Sequence, residues 1–463
     1  MHAAQTNPNN PKMKGTNTTT GGDSKTQKRF RYWQWRVIIC SMIGYSMFYF
    51  VRKNFSFAMP VLSAQYGITN TDFGIILSLV GILYGVSKFL NGFVADRFNA
   101  RWHMVIGLSA CVAINFLFGW SDKLSTLLSG QEGGPDFVGT MVLVMGILLV
   151  LNNVFQGCGF PPCNRLMNHW VPPKELATKM SIWNTSHSIG AGILAVLCGY
   201  IVSSTGDWRL CFWIPGVIAA AGILFVIITL RDTPRSVGLP ELPDTKTELD
   251  DNDSPEAYRA FVRKRVFLSP IIWILAITDL FVYVVRFAVL DWGPTFLGKM
   301  AVPLSPQLAG WTIGIFEIAG CAGMLLAGWI SDRFFAGKAQ RVCVIEMILV
   351  AVCLVVLQLL PPTTSPVVVL CILALAGFFL YGPQALLGVV ASKHATKKAA
   401  SAAVGLIGLM SYVSVLITGA GLGWFSDHFG WNHLFILMAG FAILGGILVA
   451  FLWNIKDDGY LHE

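Results

Sequence analysis

Long apolar runs alternate with short polar stretches along almost the whole chain. Twelve such runs lie near 35–60, 73–95, 103–120, 138–166, 180–202 and 209–230, then 267–294, 306–330, 341–360, 366–392, 399–421 and 431–453. Each is long enough to cross a bilayer as a helix. None shows the alternation of inward and outward residues that a membrane β-barrel strand requires. The pattern predicts an all-α polytopic membrane protein with twelve transmembrane helices.

A polar segment opening with "RDTPRSVGLPELPDTKTELDD" at Arg231 divides the runs six and six. The predicted organisation is a disordered tail (1–31), a first six-helix bundle (32–231), a central loop (232–265), a second bundle (266–455) and a short tail (456–463). The second half repeats landmarks of the first at a nearly constant offset. "YFVR" at 49–52 answers "YVVR" at 283–286, and "GFVADR" at 92–97 answers "GWISDR" at 328–333. A proline interrupts the fourth run of each half, in "GFPPC" at 159–163 and "YGPQ" at 381–384. Parallel repeats of this kind predict two pseudo-symmetric bundles with a site between them near mid-membrane.

Composition agrees. The chain is 54% hydrophobic and 13% charged, too few charges to cover a soluble protein of 463 residues. The ten cysteines show no spacing of a disulfide framework or zinc site. The N-terminus has no cleavable secretory pattern. Cations concentrate before the first run (Lys25, Lys28, Arg29, Arg31, Arg36) and in alternate loops, at Arg97 and Arg101, Arg165 with Lys174 and Lys179, Arg333 with Lys338 and Arg341, and Lys393 with Lys397 and Lys398. This bias places both termini in the cytoplasm. It also explains most of the net charge of +8, so a nucleic-acid partner is not expected; the expected environment is the lipid bilayer, with the chain as a monomer.

The candidate chemistry is cationic. Arg52 and Lys53 interrupt the first run, and Arg286 holds the equivalent place in the second half. Ionisable residues inside a membrane mark function by default. Two guanidinium groups facing one cavity repel unless an anion lies between them, and a phosphoryl group suits the planar arginine fork. The bland alternative is internal pairing with Asp279, Asp291, Glu317 or Glu346. Lys53 points about 100° away from Arg52 on a helix, so it is expected to take Asp291 or Glu317 and leave both arginines without acids. Lys88 either contacts the anion or extends to the interface. His187, in "WNTSHSIG", either supplies a proton beside the anion or bonds to Asn184, Thr185 and Ser188. Tyr45, Tyr49, Tyr84, Tyr283, Tyr381 and Tyr412, with Asn184, are candidates to bind the organic part of a substrate. Asp96, Arg97 and Arg101 and their counterparts Asp332, Arg333 and Arg341 are expected to form a cytoplasmic gate. Hydrolase, zincin and Walker motifs are missing, so no enzyme activity, cofactor or metal is expected, and transport must draw on a gradient.

These landmarks resemble the major facilitator superfamily, and more narrowly its organophosphate:phosphate antiporters. The similarity spans nearly all of 30–455 through "GYSMFYFVRKNFSFAMPVL", "YGVSKFLNGFVADRFNAR", "FQGCGFPPCNRLMNHW", "WNTSHSIG" and "YGPQALLGVVA". The resemblance implies that Arg52 and Arg286 bind phosphate, that His187 is the central histidine, and that Lys53 works with Asp291 and Glu317. It implies a bacterial inner-membrane carrier exchanging inorganic phosphate for a sugar phosphate, nearest the glucose 6-phosphate branch. That branch includes receptor-like members, and glycerol-3-phosphate carriers stand slightly further off. Two positions depart from the pattern. Val404 and Ile407 are neutral where hexose-phosphate carriers place an acid–base pair, as receptors also are. Asp279, seven residues before Arg286 on the same helix face, introduces an acid that is either a local counter-charge in the cytoplasmic vestibule or, as a third expectation of function, a site of proton coupling.

Overall fold

The computed structural model of the protein describes residues 20–134, 136–242 and 255–455, without the side chains of residues 20–24, 96, 173, 174, 176–178, 255, 257, 397, 398, 401 and 432. The described residues fold as helices α1 (Thr20–Phe50), α2 (Phe55–Tyr66), α3 (Asn70–Arg97), α4 (Ala100–Phe118), α5 (Ser121–Ser129), α6 (Phe137–Gln156), α7 (Phe160–Trp170), α8 (Pro173–Thr205) and α9 (Leu210–Thr229) in the first half. The second half holds α10 (Pro255–Val262), α11 (Pro270–Leu297), α12 (Pro306–Phe334), α13 (Ala339–Leu359), α14 (Pro366–Leu416), α15 (Leu422–Phe429) and α16 (Leu434–Ala450). Ten helical segments are long and apolar enough to span a membrane. The α1–α2 pair and α16 complete the twelve expected spans.

The spans begin and end where local chemistry dictates. Thr69 caps α3 through a reciprocal capping box with Asp72, satisfying donors that the first turn leaves open. α14 contains two spans, Pro366–Thr396 and Ala402–Phe429 with its continuation. The corner between them is Thr396, which adopts φ 68°, a left-handed conformation unusual for a β-branched residue. α1 starts at Thr20, so residues 20–31 are helical where a disordered tail was expected; residues 1–19 and 456–463 lie outside the described residues. α5 is a short surface helix that the apolar pattern did not forecast.

Two first-half spans are broken. α6 stops at Gln156 and α7 resumes at Phe160, ahead of Pro161 and Pro162. Here a Cβ on Gly157 would sit 2.2 Å from Ser87 Oγ and 2.9 Å from the Lys88 nitrogen, so only glycine lets α3 approach. The first span breaks between Phe50 and Phe55 without a glycine or proline. The second-half counterparts are continuous: α11 carries Arg286 inside an unbroken helix, and Pro383 lies within α14. The two halves therefore share an order of elements but not the local geometry at their key positions.

Aromatic clusters lock each half at the end remote from the termini. Phe55, Phe73, Phe118, Phe212 and Trp208 interlock in the first half, with Phe118 and Phe212 stacked at 4.1 Å. Trp292, Phe296, Trp431 and Phe435 do so in the second. The halves meet on that same remote side. α8 crosses α12 where a Cβ on Gly310 would lie 2.4 Å from the Ala195 carbonyl. α3 crosses the π-helical turn Ile417–Gly421, with Ser78 Oγ accepting from the Ala420 nitrogen at 2.8 Å and donating to the Val415 carbonyl at 3.1 Å.

Candidate functional site

Arg52 and Lys53 leave the chain from the Val51–Asn54 turn, not from a helix, which corrects the simple 100° argument for their divergence. The Arg52 guanidinium stacks 3.6 Å from the centre of the Tyr84 ring and 5.5 Å from that of Tyr49. Among the described residues it forms no ion pair. Lys53 reaches across the halves and pairs with Asp291. A cavity lined by Arg52, Lys53 and Asn153 from the first half and by Phe287, Asp291 and Tyr412 from the second adjoins this turn.

Around Arg52 the expected aromatic residues form one connected set. Tyr45 touches Tyr49 (5.6 Å between ring centres) and Trp183 (4.9 Å). Tyr49 lies 5.8 Å from the His187 ring, and Tyr84 lies 5.6 Å from Tyr412 across the interface between halves. Lys88 approaches the same place, 3.5 Å from the Tyr412 hydroxyl and 4.2 Å from the centre of Phe160; it does not extend to the interface. His187 Nδ1 bonds to the Asn184 carbonyl. A carbonyl only accepts, so Nδ1 carries hydrogen. Asn184 thus enters through its backbone, while its side chain stands on the exposed side of α8.

The second-half arginine is differently placed. Arg286 is 6% exposed. Its Nε donates to the Tyr381 hydroxyl at 2.9 Å, its Nη2 reaches Glu317 Oε1 at 3.4 Å, and Tyr381 donates to that same oxygen. The expectation that Arg286 has no acid is thereby corrected. Glu317 sits on α12 beside Arg286, and Lys53 is already taken by Asp291, so the acids divide one to each cation. Pairing is incomplete, because Glu317 Oε2 has no hydrogen-bond partner. Tyr283 flanks the guanidinium at 5.8 Å.

Asp279 is 2% exposed and accepts from Ser411 at 2.5 Å, with its other oxygen unpartnered. Glu346 lies against Gly382, away from either arginine. The expected gate is not closed here. Arg97, Asp332 and Arg333 are exposed, and the side chain of Asp96 lies outside the described residues. Arg101 turns to its own bundle, towards Ile227 and Trp102. Arg341 likewise bonds to the Trp453 carbonyl and Asn454. Arg101 and Arg341 are thus engaged within their own halves.

Several residues escaped sequence reasoning. Asn115, Asn152 and Gln156 surround the Val51 carbonyl, and "LNNVFQG" in an apolar run was the available signal. Asp232 caps α4 and pairs with Arg165 at 3.3 Å. Asp427 bonds to both residues at the start of α3 from the other half; "GWFSD" at 423–427, an echo of "GWISD" at 328–332, was the available signal.

Twelve spans in two bundles, with a polar chamber between them, define a membrane transport fold. The chain belongs to the Major Facilitator Superfamily, whose family model matches residues 41–419. Within it the chain falls in the organophosphate:phosphate antiporter branch. It is 36% identical over 438 residues to the glycerol-3-phosphate transporter of Bacillus subtilis (strain 168), covering 93% of this chain and 95% of that one. It is also 36% identical over 450 residues to a probable hexose phosphate transport protein of Chlamydia trachomatis serovar D, covering 93% of each. The membrane sensor protein UhpC of Escherichia coli (strain K12) is 32% identical over 426 residues, covering 91% and 92%. Among solved structures, a D-xylose-proton symporter shares the fold, with a TM-score of 0.65 at 16% identity over 92% of this chain and 99% of that one.

Proposed function

We propose that the protein exchanges inorganic phosphate for an organophosphate, a hexose phosphate such as glucose 6-phosphate, across a bacterial inner membrane by alternating access. Both termini lie in the cytoplasm on this reading, so the structure corresponds to the form open inward. The observation that carries it is Arg52, a cation held between tyrosine faces in the chamber and paired with no carboxylate among the described residues. Enclosing such a charge in a low-dielectric space costs several kcal/mol even after relaxation. A phosphate dianion offsets that cost, so the loaded carrier reorients readily and the empty one does not. Exchange follows without a separate coupling ion. Arg286, Lys88 and His187 complete the anion site, and Tyr45, Tyr49, Tyr84, Tyr283, Tyr381 and Tyr412 surround the organic part, with Asn184 contributing through its bond to His187.

Proteoliposomes loaded with phosphate test the reading. Uptake of labelled glucose 6-phosphate should require internal phosphate and fall at least a hundredfold in Arg52→Ala and Arg286→Ala. Rapid uptake into phosphate-free vesicles under a proton gradient would contradict it. A panel including glycerol 3-phosphate and phosphoenolpyruvate identifies the preferred substrate. A sensor reading has its own support in the UhpC similarity and in neutral Val404 and Ile407. It predicts sugar-phosphate binding with negligible counterflow, and ligand-dependent association with a sensor kinase.

A further inference from the structure

The break that presents Arg52 is not written in local propensity. Val51, Arg52, Lys53 and Asn54 include no glycine or proline, and nothing in them forbids helix. Their surroundings instead offer the backbone other partners. The Val51 carbonyl accepts from Asn152 Nδ2 at 2.7 Å, Asn115 Nδ2 at 3.0 Å and Gln156 Nε2 at 3.3 Å. Gln156 also donates to the Phe48 carbonyl at 3.0 Å. Asn54, at the other end of the turn, donates to Asn115 Oδ1 at 2.7 Å and to the Cys211 carbonyl at 3.1 Å. All four amide side chains are at most 2% exposed. A carbonyl has two lone pairs, so three converging donors exceed what solvating it demands.

We infer that Asn115, Asn152 and Gln156 are positioning residues whose amides hold the Val51–Asn54 turn open and thereby fix the aim of the Arg52 fork. They stand on α4 and α6, in the same half as Tyr84, the ring against which Arg52 stacks. The cradle, the turn and the stacking face move as one body when the halves rock. Loosening the cradle lets the turn relax towards helix and swings the guanidinium off its line. Arg286 needs no such device because α11 is continuous. The inference rests on the reading of Arg52 as a phosphate ligand.

Phosphate binding to the purified full-length protein in lipid nanodiscs, with the melting temperature measured alongside, tests it. Asn152→Leu should weaken the phosphate Kd about tenfold, the loss of roughly one good hydrogen bond. Gln156→Leu, which removes the longest of the three bonds and leaves the carbonyl with two donors, should weaken it less and still fold. The melting temperature should shift by no more than a few degrees in Gln156→Leu. In an Arg52→Lys background, where a point charge has no fork to aim, the penalty of each cradle variant should shrink below threefold. Unchanged phosphate affinity in Gln156→Leu and Asn152→Leu, or an equal penalty in both backgrounds, overturns the positioning role. Should Asn152→Leu fail to fold, Gln156→Leu in the two backgrounds decides alone. If the wild type does not bind phosphate, or Arg52→Ala binds as the wild type does, the anion-site reading itself is wrong.

Discussion

Glu317 and Asp279 are both buried acids of the second half, yet their surroundings assign them different parts. Glu317 shares one oxygen between Arg286 and Tyr381 and leaves the other without a partner. On the proposed function, a phosphate entering the chamber competes with that carboxylate for the same guanidinium. Glu317→Gln removes the competing charge and keeps the shape; it is expected to tighten phosphate binding several-fold, measured by titration in nanodiscs. Asp279 is bonded to Ser411 and, among the described residues, forms no ion pair. If exchange needs no coupling ion, Asp279→Asn keeps exchange and its pH profile. A flattened profile in that variant would instead establish the proton-coupled mode.

Helices in this protein are shaped by what crosses them. Gly157 is the clearest case, since any side chain there runs into Ser87. Gly157→Val should force α6 and α3 apart, costing about 1–3 kcal/mol as overpacking does, read as a lower melting temperature. The α1–α2 break has the opposite origin, being imposed by neighbouring amides on a sequence that permits helix. The Lys53–Asp291 pair bridges α11 and this turn with side chains 19% and 10% exposed. Removing one partner strands a largely buried charge, whereas removing both does not. Lys53→Met alone should therefore destabilise the fold by more than Lys53→Met combined with Asp291→Leu, in thermal melts of the purified proteins.

At the scale of the whole molecule, one carboxylate of the second half caps a helix of the first on the remote side. Asp427 Oδ1 accepts from the Asn70 nitrogen (3.2 Å) and Nδ2 (2.9 Å), and its Oδ2 from the Thr71 nitrogen (2.7 Å) and Oγ1 (2.6 Å). It caps a helix of the other half, where open donors and the helix dipole favour an anion. Asp427→Ala should shift the population towards the outward-open form. In a background with the ten native cysteines replaced, Ser56→Cys, at a position that lines the chamber, would then be labelled faster from the outside, and an unchanged labelling rate would show that the cap does not hold the halves. The opposite side carries the repeated Asp–Arg motif, and among the described residues no ion pair of Arg97, Arg101, Asp332, Arg333 or Arg341 closes it.

The sequence by itself determined the twelve helices and their division into halves, and it singled out Arg52, Lys53 and Arg286 as charges within them. Membrane thickness and the absence of backbone partners in lipid leave an apolar run few choices, and a charge at that depth announces itself. Tertiary structure decided which acid serves which cation, why Arg52 and Arg286 are not equivalent despite their matching motifs, and what closes the remote side. Those outcomes depend on amides and carboxylates contributed by distant helices. The Val51 carbonyl chooses between its own helix and Asn115, Asn152 and Gln156 only when α1, α4 and α6 come together, and no spacing along the chain records that competition.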